Sequence, residues 1–130
     1  MCGIAGLMGK NRTSPDSSTL DSLEAALLHR GPDGSGRYIH RNTAILQTRL
    51  AIIDLAKGDQ PFVVQPTRGK PVALVANGEI YNYRELSENL MGANLISSSD
   101  CEPPLHLYLR DGVRFAESLQ GMYAFAIYDA

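Results

Sequence analysis

The sequence predicts an α+β fold, and three observations carry that prediction. The chain has 130 residues, a single-domain length that can bury a real core. Candidate strands and candidate helices alternate irregularly, without the βαβ rhythm of a doubly wound parallel sheet. Strong strand signals stand at both ends of the chain, and a leucine-patterned helix follows the first of them.

Residues 3–8 are a short apolar run bounded by glycine, which predicts a buried strand. Residues 10–18 are polar and contain Pro15, a loop signal. Ser18 with Asp21 three residues later has the form of a capping box. Leu20, Leu23 and Leu27 then share one helical face, so a helix is predicted over 17–29. The glycines and proline of His29-Arg30-Gly31-Pro32-Asp33-Gly34-Ser35-Gly36 end it, as a turn packing over the functional site. Residues 37–40 and 43–53 predict a hairpin turning at Arg41-Asn42, followed by a loop over 54–68. Residues 71–76 are apolar and β-rich, a buried central strand that runs into Asn77-Gly78. Helix is predicted over 83–90, a short strand over 94–97, and helix over 102–110 with Pro103 and Pro104 in its first turn. A further turn or two of helix over 113–119 and a closing strand over 122–129 complete the reading.

Composition excludes several classes of function. Hydrophobic content of 44% and charged content of 20% suit a soluble globular domain. A net charge of −2, with no basic cluster, argues against nucleic-acid or membrane-surface binding. No apolar run reaches membrane-spanning length and no signal peptide is visible. Cys2 and Cys101 do not make a disulfide framework, so a cytoplasmic, reducing setting is expected. His29, His40 and His106 lack ligand spacing with each other or with the cysteines, so no metal is expected.

The chemistry centres on Cys2. Methionine aminopeptidase removes an initiator that precedes a small side chain, and processing would leave a thiol and a free α-amine on one residue. The amine titrates at about 7.7–8.0 and the thiol near 8.5, both close to working pH. Cys2 is thus either a nucleophile carrying its own base or a small buried residue at the head of a strand.

Six fragments taken together point further. They are Cys2-Gly3-Ile4-Ala5-Gly6, His29-Arg30-Gly31-Pro32-Asp33-Gly34, Thr48-Arg49-Leu50-Ala51-Ile52-Ile53-Asp54, Asn77-Gly78-Glu79-Ile80-Tyr81-Asn82-Tyr83, Ser99-Asp100-Cys101-Glu102 and Leu119-Gln120-Gly121-Met122-Tyr123-Ala124-Phe125-Ala126. In this order they resemble the glutaminase domain of the class II glutamine amidotransferases, which are N-terminal-nucleophile hydrolases. The Arg-Gly-Pro-Asp and Asn-Gly-Glu-Ile-Tyr-Asn fragments resemble the branch at the front of glutamine-dependent asparagine synthetases. The resemblance implies a four-layer αββα sandwich, and glutamine hydrolysis to glutamate and ammonia for an acceptor, by default aspartate in asparagine biosynthesis.

It also implies a role for each matching residue. Cys2 would attack the glutamine carboxamide, with its α-amine moving the proton. Asn77 and Gly78 would supply the oxyanion hole, the alternative being an ordinary hairpin turn. Arg49 would fork onto the substrate carboxylate, the alternative being an edge position or a structural ion pair. Asp100 and Glu79 would receive the ammonium, the alternatives being a helix N-cap and a solvated charge. Backbone groups of Leu50, Ala51, Ile52 and Ile53 would line the same pocket. The glutaminase step would need no cofactor, with ATP and Mg implied for a synthetase domain that lies outside these residues.

Two features depart from the family pattern. Pro103 and Pro104 stand where relatives carry aliphatic residues, removing donors from a helix start. Relatives also continue past Ala130 with strands that complete the second sheet, so residues 1–130 are expected to be a partial domain. Its uncovered edges would then favour a homo-oligomer. With Met1 retained, Cys2 would lack its amine and the chain could be inactive. Two other readings stand beside the enzyme: a silent binding or assembly module of the same fold, and an N-terminal-cysteine amide hydrolase for another substrate.

Overall fold

The computed structural model describes residues 1–66 and 69–130. Two three-stranded antiparallel sheets face one another. In the first, β1 (Gly3–Met8) and β2 (Gly34–His40) flank β3 (Thr43–Arg49). In the second, β4 (Phe62–Val64) and β6 (Gly121–Asp129) flank β5 (Val72–Ile80).

Side-chain alternation assigns the layers. Along β3, Ala44 and Leu46 pack with Leu20, Leu23 and Leu27 of α1 (Ser17–Leu27). Ile45 turns the other way, meeting Ala73 and Val75 of β5 between the sheets. Val72, Leu74 and Ala76 face outward again, against Cys101 and Leu105 at the start of α3 (Pro103–Asp111). The short helix α2 (Tyr83–Asn89) closes the same side through Leu86 and Ile80. The layer order is therefore helix, sheet, sheet, helix, an α+β sandwich of the expected αββα kind. Leu46 is wholly buried beneath α1. Leu46→Ala is expected to cost about 2–5 kcal/mol, read by denaturant unfolding.

Several boundaries differ from the sequence reading, each for a local reason. Helix α1 is capped by Asp16, whose carboxylate accepts from Thr19 N at 3.2 Å, and not by a Ser18–Asp21 box. Gly34 to Gly36 belong to β2 rather than to a turn, because β3 pairs with them across Arg49, Thr48 and Gln47. Strand β3 ends at Arg49, and residues 50–53 peel away from the sheet. Within the predicted loop over 54–68, Phe62–Val64 form β4 on β5, and the loop's end at Thr67 and Arg68 lies outside the described residues.

Strand β5 runs through Asn77-Gly78 to Ile80, held by β6 along its whole length, so the hairpin-turn reading fails. A Cβ on Gly78 would stand 2.5 Å from Met122 O, so the neighbouring strand itself demands glycine. Residues 94–97 are not a strand: Glu102, 2% exposed, holds Ile96 N at 2.8 Å and Ser97 N at 2.7 Å in an irregular segment. Residues 113–119 fall mostly in a 3-10 helix, Gly112–Ser118. No helix among the described residues is long and apolar enough to cross a membrane.

Candidate active site

The same alternation that separates the layers builds the site. Cys2 precedes Ile4 by two positions, so it points between the sheets. Gln47 and Arg49 continue the inward face of β3, and Asn77 and Glu79 continue that of β5. Beyond the apolar contacts of Ile45, Ala73 and Val75, these polar groups open a cavity of about 160 Å³. Cys2, Arg49, Leu50, Ile52, Ile53, Asn77, Gly78, Glu79 and Asp100 all line it. Ala51 does not; its N–H donates instead to Asp33 Oδ2 at 2.9 Å.

Cys2 is half-buried, and its Sγ lies 3.4 Å from Leu50 N, the first residue after β3. Its carbonyl accepts from Arg30 Nε at 3.1 Å, which anchors the backbone behind the thiol, while none of residues 30–34 lines the cavity itself. Met1 is 69% exposed and sits at the cavity wall. The second thiol is different in kind. Burial, then the nearby Asp100 and Cys2, push the Cys101 thiol far above its ordinary range, so it stays protonated and inert.

Asn77 is a cavity residue whose side-chain oxygen is buried without a hydrogen-bond partner among the described residues. Gly78 follows it with its backbone facing the edge of β5 that β4 leaves open. On that edge Ala76 N donates to Gln60 Oε1 at 2.6 Å and Ile80 N donates to Asp100 Oδ2 at 2.9 Å. Strand alternation points Gly78 N–H the same way, between those two contacts. Asp100 is 5% exposed and serves β5 rather than capping a helix: α3 starts after Glu102 and has no side-chain cap. Pro103 and Pro104 occupy its first turn, where no N–H is needed, and leave the Asp100 contact intact.

Arg49, 7% exposed, departs furthest from the sequence reading. Its fork is engaged by the protein. Nη1 donates to Asp59 Oδ1 at 2.6 Å, while Nη2 donates to Asp54 O at 2.6 Å and Ile53 O at 3.1 Å. The structural ion pair is thus present. The Asp59 side chain is 80% exposed, so the far half of that pair lies in water. Gly58 packs on the guanidinium so closely that a Cβ there would lie 2.6 Å from Nη2.

A cysteine next to the amino terminus, an Asn-Gly strand segment, a buried Arg and a buried Asp meet in one cleft, and residues 1–130 match the family model of the glutamine amidotransferase domain. The chain belongs to that family. The amidotransferase domain is 39% identical over 130 residues to glutamine-hydrolysing asparagine synthetase 3 of Arabidopsis thaliana, covering 99% of this chain and 22% of the relative. It is 40% identical over 130 residues to asparagine synthetase 2 of Oryza sativa subsp. japonica, with the same coverage. The chain therefore spans 22% of the length of these curated relatives. Among solved structures, the allosteric regulatory enzyme of purine biosynthesis aligns at TM-score 0.58 and 28% identity, over 69% of this chain and 22% of that one. Glutamine phosphoribosylpyrophosphate amidotransferase from B. subtilis aligns at TM-score 0.70 over 99% of this chain and 35% of that one; at 21% identity it speaks to the fold alone.

Sequence reasoning missed several residues that line the cavity of this amidotransferase domain. Gln47, 1% exposed, donates from Nε2 to Ala76 O at 3.3 Å while Gln60 takes Ala76 N, so two glutamines fix the peptide that leads into Asn77. Gln47 was within reach of the period-two rule, since it lies two residues before Arg49. Gln60, Gly58, Ser99 and Met122 reach the cavity through loop and cross-strand geometry that no local pattern announces.

Proposed function

We propose that the domain hydrolyses glutamine at this cavity, with Cys2 as nucleophile once Met1 is removed. The convergence of Cys2, Asn77-Gly78, Arg49 and Asp100 from four separate stretches onto one cleft is the observation that carries the reading. The thiol sulfur attacks the side-chain carboxamide carbon, and the thiol proton passes to the α-amine. Asn77 and Gly78 N–H steady the oxyanion. The amine then protonates the leaving nitrogen, ammonia departs and a thioester remains. Water adds to the thioester, and glutamate and the free thiol are restored.

The substrate head group needs opposite charges on two sides. Asp100 and Glu79 offer carboxylates to its ammonium. Arg49 offers positive charge to its carboxylate, and Nη1 is freed to donate to it when the solvent-facing Asp59 swings away, while Nη2 stays on the carbonyls of Ile53 and Asp54. The partner is a synthetase domain that accepts the ammonia, with ATP and Mg at that domain and no cofactor at the glutaminase step. Relatives named asparagine synthetases support aspartate as acceptor.

The test is glutamate release from glutamine by protein whose intact mass shows Met1 removed. Release is expected from the processed chain and not from a chain that keeps Met1. An N-terminal-cysteine hydrolase of another substrate would instead cleave simple acyl amides and be indifferent to Arg49→Ala and Asp100→Ala. A silent binding module would release glutamate in neither form.

A further inference from the structure

We propose that Asp54 is the positioning residue that sets the distance between the two halves of the head-group site. The inference rests on the glutaminase reading above and adds to it. The two halves, Arg49 at the end of β3 and Asp100 beside β5, are each flanked by an irregular segment, and the two segments are far apart in sequence. One is the loop after β3 that grips Arg49; the other is the segment 94–99 that leads into Asp100. Neither belongs to a sheet, so neither is placed by ladder hydrogen bonds.

Asp54 touches both. Its backbone carbonyl accepts from Arg49 Nη2 at 2.6 Å. Its Oδ2 accepts from Ser98 N at 2.6 Å, a contact spanning 44 residues of chain. Its Oδ1 accepts from Lys57 N at 3.0 Å, which closes the turn carrying Gly58 against the guanidinium. The residue sits at φ 48°, in the left-handed region that Asp tolerates better than most residues. That conformation lets one residue turn its carbonyl to Arg49 and its carboxylate to Ser98. On the far side Glu102 holds Ile96 N and Ser97 N, so the segment before Asp100 is clamped from two directions. The Ser98 N–H, then the Lys57 and Ala56 N–H groups, hold the Asp54 carboxyl below its usual range, so it stays charged at neutral pH.

Asp54 does not line the cavity and reaches neither Cys2 nor Asn77. Losing it should loosen recognition of the head group in ground state and transition state alike. Uniform loss of that kind raises KM and spares kcat.

The experiment compares glutamine kinetics of the processed chain with those of Asp54→Gly and Asp54→Asn. Glycine keeps the left-handed backbone and removes the carboxylate; asparagine keeps one acceptor oxygen. Asp54→Gly is expected to raise KM for glutamine roughly tenfold to a hundredfold, the effect of losing a charge-assisted hydrogen bond, with kcat within about threefold. Asp54→Asn is expected to fall between it and the unsubstituted chain. Alkylation of Cys2 by iodoacetamide, which has no amino-acid head group, is expected to proceed at the same rate in all three. Unchanged KM in Asp54→Gly overturns the inference, and so does a parallel collapse of kcat and of Cys2 alkylation. Absence of glutamine hydrolysis by the unsubstituted processed chain overturns the glutaminase reading instead.

Discussion

Cys2→Ala is expected to bring glutamate release down to the uncatalysed background while leaving the fold and glutamine binding in place. Cys2 is half-buried at the cleft, and its sulfur exchanges only long hydrogen bonds with Leu50, accepting from its N–H at 3.4 Å and lying 3.8 Å from its carbonyl oxygen. Removing it leaves no cavity in a packed core and strips no strong partner from a buried group, so the usual penalties of a buried truncation do not arise. The groups that grip the head group stay where they were. Glutamine should therefore still raise the melting temperature of the variant, because a ligand that binds only the folded state stabilises it by mass action. The pairing of lost turnover with retained binding separates a missing nucleophile from a broken fold. Loss of both would place Cys2 in the structure rather than in the chemistry.

Asn77→Ala is expected to lower kcat by about 10²–10³, the usual effect of deleting one oxyanion donor, with a much smaller change in KM. Truncating this polar residue should cost little stability. Its side-chain oxygen already lacks a partner among the described residues, so truncation removes a buried unsatisfied atom instead of creating one. Unfolding by denaturant should show little or no destabilisation. Asn77→Asp should be as slow or slower, since a carboxylate there opposes the charge that develops in the transition state. A variant with full activity would return Asn77-Gly78 to a purely structural part of β5.

The fold was legible where a pattern repeats over several residues. The leucines of α1 and the apolar runs of β1, β5 and β6 declare their elements, because burial of one face sets their spacing. Sequence failed where the fold answers to a distant partner. Asn77-Gly78 has the composition of a turn, yet β6 pairs with it and keeps it extended. Phe62–Val64 is too short to signal itself and exists because β5 offers an edge. The site behaved likewise. Residues on strands, Arg49, Asn77 and Glu79, reach the cavity as their alternation requires. Loop residues divide, with Leu50, Ile52 and Ile53 at the cavity and Ala51 turned to Asp33. What Arg49 bonds to was not readable, because Asp59 and the carbonyls of residues 53 and 54 reach it by loop closure.

The central claim is that the sulfur of Cys2, freed at the amino terminus, attacks the carboxamide of a bound amino acid. Intact-mass and peptide mass spectrometry after incubation with a diazo-ketone analogue of glutamine tests it most directly. The claim predicts one adduct per chain, on Cys2 of protein lacking Met1, with excess glutamine protecting and Cys101 unmodified. A processed chain that takes no label, or takes it on Cys101 with glutamine giving no protection, contradicts it.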